Sequence, residues 1–317
     1  TVDVTLSGAG IRVTLFGSQM GQSVQVPIIP QGDWTINSGQ FVYLGERPDG
    51  TPHVLTGNLT ILTGGGLEVS NTILQLPTSG TVTLEGTASL AGSDATISSH
   101  SLSVGIDSTV SQSSGTGDFT IESNVTWECQ SIQTSNNLVI DGSLLLQPNC
   151  QVEILDGQIS GAITVLTGGE LTMLSSLEIS VLDKGQPVVG ATISIGGAVT
   201  MTDANGKVAT NAVARQVDDS SDTSGSVKNI NLQIGSFYDF ITWDTLSSFE
   251  YTFMASTIAP GTLSNWMILE AKWSPYFLDN DLTVDSSGTL TIDDGVSLRI
   301  SDGSKITVDG RIDVGAA

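Results

Sequence analysis

Basic residues are scarce in this chain of 317 residues, because ten Lys and Arg stand against 33 Asp and Glu and give a formal net charge of −23. No basic residue lies between Arg47 and Lys184, where fourteen acidic residues occur. Such a surface repels phosphate backbones and anionic membrane surfaces. The composition therefore predicts no nucleic-acid partner, and either an acidic face exposed to a salty or cation-rich medium or a face that binds cations weakly.

Long hydrophobic runs are also missing, since no stretch approaches the roughly 20 apolar residues that span a bilayer. We therefore expect no membrane span. Aromatic residues make up only 5% of the chain, whereas Gly contributes 36 residues and Ser plus Thr contribute 76 (40 and 36). This is the composition of strands and turns, and a hydrophobic content of 39% is enough to fill a core. The chain begins with Thr1, which we interpret as the result of signal removal, so we expect an extracellular, cell-surface location.

One gapless pattern occurs three times, at 59–69, 163–173 and 282–292. Each copy has an apolar-Thr-apolar strand or a close variant, a Gly-containing turn and a second alternating strand. Looser copies recur at intervals of about 17 to 25 residues, which is typical of the coils of a parallel β-solenoid. A β-sandwich is the alternative, but it does not require the same motif in the same phase three times.

The segment 177–257 differs from the rest because it holds most of the mid-chain cations and a cluster of aromatic residues. A Gly-x-Pro-x-x-Gly-Ala hairpin at 185–191 and a Thr-Asp-x-x-Gly turn at 202–206 resemble the carboxypeptidase-regulatory-like and collagen-adhesin B-type families. The resemblance implies an immunoglobulin-like β-sandwich that serves as a spacer or presentation module without catalytic residues. The predicted fold class is thus all-β, a parallel β-solenoid interrupted by an immunoglobulin-like sandwich.

A second resemblance follows this segment. A Ser-Pro-Tyr entry at 274–276, a Gly-x-Leu-Thr-Ile strand at 288–292 and an Ile-x-Val-x-Gly-Arg-Ile run at 306–312 resemble the right-handed parallel β-helix of archaeal cell-surface proteins. That group includes envelope and sheath proteins of methanogens. The resemblance implies a right-handed β-helix and a place in an archaeal cell envelope.

We predict four segments. An N-terminal β segment at 1–33 acts as a cap or inter-subunit strand, a β-solenoid follows at 34–176, the insert occupies 177–257, and the solenoid returns at 258–317 with an open C-terminal coil. An open coil exposes unpaired backbone groups, and no helix, Pro or charged plug follows Val314. The candidate assembly residues are the alternating apolar residues of the first and last strands, namely Val2, Val4, Leu6, Ile306, Val308, Ile312 and Val314. A contact between them in neighbouring copies is heterologous and propagates into a filament, hoop or tube.

Cysteine and histidine are limited to two residues each. Cys129 and Cys150 are 21 residues apart, about one coil, and stacked strands lie ~4.8 Å apart, a separation that a disulfide spans. An intramolecular bridge, a bridge between subunits and two free thiols all remain open. Neither Cys has a His neighbour, which disfavours zinc and redox chemistry. His53 and His100 occupy turn-like sequence, where we expect exposed residues rather than a catalytic base.

Two further kinds of site are suggested by short motifs. Acidic turns place Asp279, Asp281, Asp293 and Asp294 as weak candidates for calcium, with solvated turns as the alternative. Asn58 and Asn124 begin Asn-x-Thr glycosylation motifs. No cofactor is required on this interpretation, although calcium is a candidate.

The hypothesis for function is a structural subunit, not an enzyme, that polymerises with copies of itself into an extracellular layer, sheath, tube or filament. One alternative is a monomeric surface adhesin that binds glycan or calcium. A weaker alternative is a β-helix carbohydrate-active enzyme. A polysaccharide lyase needs basic residues, which 48–183 lacks, whereas an inverting glycosidase needs only carboxylates.

Overall fold

The computed structural model describes residues 29–113, 117–129, 132–234 and 237–315. These residues are almost entirely β, with 35 strands and one short 3₁₀ helix at Ala271–Trp273. The assembly candidates Val2, Val4 and Leu6 lie outside the described residues. The chain divides into two compact units, one made of 1–174 and 213–224 and the other of 175–212 and 225–317.

The first unit is built from short strands joined by tight turns. Its strands are β1 (Trp34–Ile36), β2 (Phe41–Leu44), β3 (His53–Val54), β4 (Leu59–Ile61), β5 (Gly66–Ser70), β6 (Ile73–Gln75), β7 (Thr81–Leu84), β8 (Ser89–Ser93), β9 (Ala95–Val104), β10 (Thr109–Gln112), β11 (Phe119–Trp127), β12 (Ile132–Asn136), β13 (Leu138–Ile140), β14 (Leu144–Leu146), β15 (Gln151–Leu155), β16 (Gln158–Ile159), β17 (Ile163–Val165) and the first part of β18 (Glu170–Asp183).

These strands pair in parallel, and each turn of the chain places three strands on three faces. One face carries β2, β5, β8 and β10 and then β12, β15 and β18. The other two faces form one eleven-stranded sheet, because β9 and β11 are long enough to belong to both. Register partners are 19 to 25 residues apart, from the pair Leu144 and Ile163 to the pair Trp34 and Leu59. The predicted parallel β-solenoid is therefore confirmed.

The core of this unit is a stack of aliphatic side chains. Leu59, Val82 and Leu102 occupy the same register position in three successive coils and are all buried. Alternation places every second residue of a strand inside, where the coils above and below cover it. Because the stack is narrow, few aromatic residues are needed: among the described residues Phe119 and Trp127 are buried in this core, and Trp34 packs against it partly buried.

One corner of the coil is turned by a single Asn or Asp. Asn71, Asp94, Asn137 and Asp156 each lie between two strands at this corner, and their φ angles of 51°, 47°, 48° and 53° are in the left-handed region. Asn and Asp tolerate this region better than other non-Gly residues. The backbone N–H groups of Asn71, Asn137 and Asp156 still bond across coils, to the carbonyls of Ser93, Leu155 and Leu174. At these three corners the turn therefore costs the stack no backbone N–H hydrogen bond.

The second unit combines an antiparallel part with parallel coils. The remaining strands are β19 (Gln186–Pro187), β20 (Thr192–Ile195), β21 (Ala198–Met201), β22 (Lys207–Asp218, which ends in the first unit), β23 (Asp222–Ser224, in the first unit), β24 (Val227–Ile234), β25 (Phe237–Asp244), β26 (Phe249–Met254), β27 (Ser256–Thr257), β28 (Gly261–Leu263), β29 (Trp266–Leu269), β30 (Tyr276–Leu278), β31 (Leu282–Val284), β32 (Thr289–Ile292), β33 (Leu298–Ile300), β34 (Ile306–Val308) and β35 (Arg311–Val314).

The antiparallel part contains a four-stranded sheet in the order β21-β20-β24-β25. Ile193, Ile230 and Trp243 from this sheet pack in one core with Val181 of β18 and Phe253 of β26. This core has larger side chains than the solenoid stack, as the aromatic content of the segment predicts. The sheet is small, so its assignment to the immunoglobulin-like families stays a prediction.

Parallel coils resume at β27. The strands β27–β35 form three three-stranded parallel sheets, each with one strand from each of three coils. All three copies of the sequence repeat fold alike, because 59–69 forms β4 and β5, 163–173 forms β17 and the start of β18, and 282–292 forms β31 and β32. The repeat is thus a two-strand part of one coil.

Candidate functional site

The last described coil of the second unit, β33–β35, exposes side chains that the preceding coil buries. Both coils have apolar residues at matched register positions. The matched pairs are Leu278 and Ile300 (0% and 43% exposed), Val284 and Val308 (0% and 40%), and Leu290 and Ile312 (0% and 41%). Val314 is 72% exposed. These side chains occupy the inward positions of a coil that no described residue covers on its outer side.

We call this surface the open coil face and define it as Leu298, Ile300, Ile306, Val308, Ile312 and Val314. Among the described strands, β33, β34 and β35 each pair with one neighbour, so their other edges present backbone N–H and C=O groups. Apolar side chains and unpaired strand edges together form a template for another coil. Four of the predicted assembly residues lie on this face, whereas Leu298 and Ile300 were missed by the sequence analysis.

Arg299, Arg311 and Asp313 alternate with the apolar residues of the open coil face and make contacts on the outward side of their strands. Arg311 Nε lies 2.7 Å from Asp313 Oδ1, and Arg299 lies 3.5 Å from Asp239 and over the ring of Phe277. These are contacts within the second unit. The six residues that define the open coil face are all apolar, which suits contact with an apolar coil and not with a charged ligand.

Cys129 and Cys150 form a disulfide within the chain, with their Cα atoms 4.8 Å apart. Both residues are buried, and they join the turns that precede β12 and β15 in adjacent coils. The predicted intramolecular staple is confirmed, and the alternatives of free thiols or a bridge between subunits are wrong.

The two glycosylation candidates hold neighbouring coils together. Asn124 Oδ1 accepts a hydrogen bond of 3.0 Å from the backbone N–H of Ser143 in the next coil. Asn58 Oδ1 accepts a hydrogen bond of 2.9 Å from the backbone N–H of Thr81, and Asn58 Nδ2 donates to Asp33 Oδ1. Both Asn side chains are exposed. Glycosylation stays a prediction, but the structure adds a role as inter-coil caps that the motif alone does not reveal.

The calcium candidates lie in turns and accept hydrogen bonds there. Asp281 Oδ1 accepts the backbone N–H of Lys305 at 3.0 Å, Asp294 Oδ1 accepts that of Gly295, and Asp279 accepts the hydroxyl of Ser301. Asp293 lies beside Asp294. In the described ranges, no group of three or more His, Cys, Asp or Glu side chains is placed to hold a metal ion. This arrangement fits solvated turns.

Other carboxylates anchor turns more strongly. The backbone N–H of Ser220 and the hydroxyls of Ser221 and Ser220 lower the pKa of Asp218 to about 2. The hydroxyls of Ser264 and Ser287, together with the backbone N–H of Ser287, lower the pKa of Asp285. Hydrogen bonds to the ionised form cause both shifts. These carboxylates are structural anions at neutral pH.

His53 differs from the sequence-based expectation. Its side chain is 7% exposed and its Nε2 lies 2.8 Å from the carbonyl oxygen of Gly45. The expectation of a surface residue is wrong for His53, because it lies in strand β3 with its ring buried beside Gly45. His100 is exposed, as expected.

No protein-family model, curated protein or solved structure matches this chain. Within the described part of the chain, no helix has the length and apolar character needed to cross a membrane. The parallel pairing of strands in successive coils identifies the class of protein as a parallel β-solenoid.

Proposed function

We propose that this protein is a structural subunit that polymerises through its coils into an extracellular layer, sheath, tube or filament. The open coil face carries the proposal. Ile300, Val308 and Ile312 are 43%, 40% and 41% exposed at positions where the preceding coil is fully buried. Covering them with a further coil would remove apolar surface from water at about 25 cal/mol per Å² and pair the free strand edges.

A second copy of this chain is the partner that fits the open coil face. A docking coil must match three strand positions and three inward apolar stripes at once, and the coils of this chain have that geometry. The six residues that define the face are apolar, so an apolar coil of a second chain can cover them without burying a charge. Contact of one end with a different surface of the next copy is heterologous and propagates.

The finer assignment rests on the resemblances. On that basis we propose that the solenoid is a right-handed β-helix of an archaeal cell envelope. The antiparallel part is then an immunoglobulin-like spacer or lateral contact. The disulfide supports an oxidising location outside the cytoplasm, where such bonds persist. The role is non-catalytic and needs no cofactor, with glycans on Asn58 and Asn124 as additions.

Negative-stain electron microscopy of the purified chain tests the proposal, with and without reductant and with and without calcium. We expect regular filaments, rings or sheets for the unaltered protein, and their persistence under reductant because the disulfide lies within one chain. Val314→Asp should disperse them, since it places a charge on the open coil face. Thr307→Asp is the matched control, because Thr307 lies on the outward side of the same coil. Dispersed monomers of the unaltered protein would refute the proposal.

A further inference from the structure

The four-stranded antiparallel sheet of the second unit has one buried side and one exposed side. Ile193, Ile230 and Leu232 lie on the buried side and pack with Trp243 in the core. The opposite side carries five exposed apolar side chains, Val199, Met201, Val227, Tyr238 and Phe240, which are 68%, 65%, 64%, 64% and 70% exposed. We call this opposite side the outer face of the sheet.

The strand register arranges the outer face in rows across the sheet. Val199 pairs with Ser194, Ser194 with Asn231, and Asn231 with Phe240. One row therefore runs from an aliphatic residue through a hydroxyl and an amide to an aromatic ring. The polar residues form a strip along the middle strands that ends at the apolar Val227 of β24, and apolar residues border the strip on both edge strands.

The aromatic border is formed by Tyr238 and Phe240 of β25. They are two residues apart on one strand, so their Cα atoms lie about 7 Å from each other and both side chains point to the same side. A ligand that covers such rings removes their apolar surface from water, which favours binding. Their ring faces carry negative potential, which attracts the C–H groups of a ligand.

The polar strip offers hydrogen-bonding groups that the described part of the chain does not use. No described residue hydrogen-bonds to the side chains of Ser194, Asn229 or Asn231. An amide both donates and accepts, and a hydroxyl does the same. These are the groups that match the hydroxyls of a sugar, which also donate and accept.

A pocket of about 410 Å³ opens at one end of this strip, beside Ser194, Asn229 and Asn231. It borders the Gly196-Gly197 turn, where both residues have positive φ angles of 57° and 95°. Such a two-residue turn is typical of a tight hairpin, and the missing Cβ atoms keep the pocket open. Its volume lies within the range of about 300–1,000 Å³ found for small-molecule sites.

Charge is nearly missing from the outer face, although the chain carries a net charge of −23. Lys228 lines the pocket, and Asp244 lies at the end of β25, where its carboxylate accepts the backbone N–H of Leu246. The acidic chain disfavours an anionic ligand. A protein partner would have to desolvate the amide strip and supply matched groups in one fixed arrangement, whereas sugar hydroxyls satisfy amides in several orientations.

We infer that the outer face binds an uncharged oligosaccharide. The C–H faces of its sugar rings stack on Tyr238 and Phe240, and its hydroxyls bond to Asn231, Asn229 and Ser194. This site is separate from the open coil face and does not depend on assembly. It gives the antiparallel part a binding role in addition to any spacer role.

Isothermal titration calorimetry of the full chain tests the inference. The probes are cellohexaose, mannohexaose and chitohexaose, with hexagalacturonate as the acidic comparison. We expect at least one uncharged probe to bind, and Phe240→Ala and Asn231→Ala each to weaken it about tenfold, as loss of one stacking or polar contact of about 1.4 kcal/mol would. Phe240→Tyr should retain binding. Phe41→Ala is the matched control, since Phe41 is an equally exposed ring (66%) in the first unit.

Three results would overturn the inference. One is no binding of any uncharged probe at millimolar concentration by protein whose circular dichroism shows a folded chain. Another is a preference for hexagalacturonate, or an equal loss of binding in Phe41→Ala. The third is that Phe240→Ala leaves sugar binding unchanged and instead disperses a dimer of the unaltered protein, which would assign the outer face to a second copy.

Discussion

Two successive coils of the second unit, β30–β32 and β33–β35, have the same register and the same kind of inward residues, yet only the first buries them. Leu290 is 0% exposed and its partner Ile312 is 41% exposed. Burial in a solenoid is therefore decided by whether a neighbouring coil is present, and not by the residues of the coil alone. The same apolar pattern stabilises a fold in one coil and offers a contact in the next.

The largest expected effect comes from placing a charge in the covered coil. Leu290→Asp should lower the free energy of unfolding by about 3–5 kcal/mol, because it buries an unpaired carboxylate in the stack. Ile312→Asp should cost about 1 kcal/mol or less in the monomer, since the new carboxylate reaches water. Urea unfolding followed by tryptophan fluorescence at low protein concentration measures both. Equal losses for the two variants would show that the last coil is covered within one chain.

The disulfide gives the first unit a constraint that the second unit lacks. Replacing both Cys129 and Cys150 by Ser should lower stability by about 2–4 kcal/mol, the usual effect of a lost disulfide. Hydrogen exchange should show lost protection in β12, β14 and β15 and unchanged protection in β30–β32. Reductant should have no effect on the double variant. Uniform loss of protection across both units would contradict a local role for the bridge.

The Asn caps allow a test of how neighbouring coils are held. Asn124→Ala should lower stability by about 1 kcal/mol, because the backbone N–H of Ser143 loses its partner. Thr126→Ala removes the glycosylation motif and keeps this hydrogen bond, so it should be close to neutral. Chemical denaturation of unglycosylated protein compares the two. The cap would be excluded as a stabilising contact if both variants matched the unaltered protein.

The smallest expected effect is on how the stability of the fold changes at acidic pH. The pKa of Asp285 is lowered from 3.8 in the folded chain, so its contribution to stability is present above pH 3.8 and is lost as the pH falls through the lower folded value. Asp285→Asn should reduce the fall in melting temperature over this acidic range. Asp309→Asn is the control. Asp309 follows Val308, which is the register partner of Val284, the residue before Asp285. An identical acid response of Asp285→Asn and the unaltered protein would show that Asp285 does not anchor the turn.

Much of the solenoid could be predicted because its signals are local. Alternation in 59–61 and 282–284 and the Gly after each strand specify strand and turn without knowledge of distant residues. The inward residues Ile306, Val308, Ile312 and Val314 were found in the same way. Leu298 and Ile300 follow the same alternation, with Arg299 at the outward position between them, so the signal that identifies them is also present in the sequence.

Features that depend on distant partners could not be predicted. Burial of His53 depends on the carbonyl of Gly45 across a turn. In β25 both sides of the strand carry large apolar residues, Phe240 on one and Trp243 on the other, so alternation does not reveal which side is inward. Only the packing of the sheet decides this, and the outer face is found from the structure alone.

Sedimentation velocity over a range of protein concentrations tests the central claim most directly. The unaltered chain and Thr307→Asp should form species larger than a monomer that grow with concentration, whereas Ile312→Asp should remain a monomer of 32.9 kDa. A monomer at all concentrations for the unaltered chain, or growth that Ile312→Asp does not change, would contradict assembly through the open coil face.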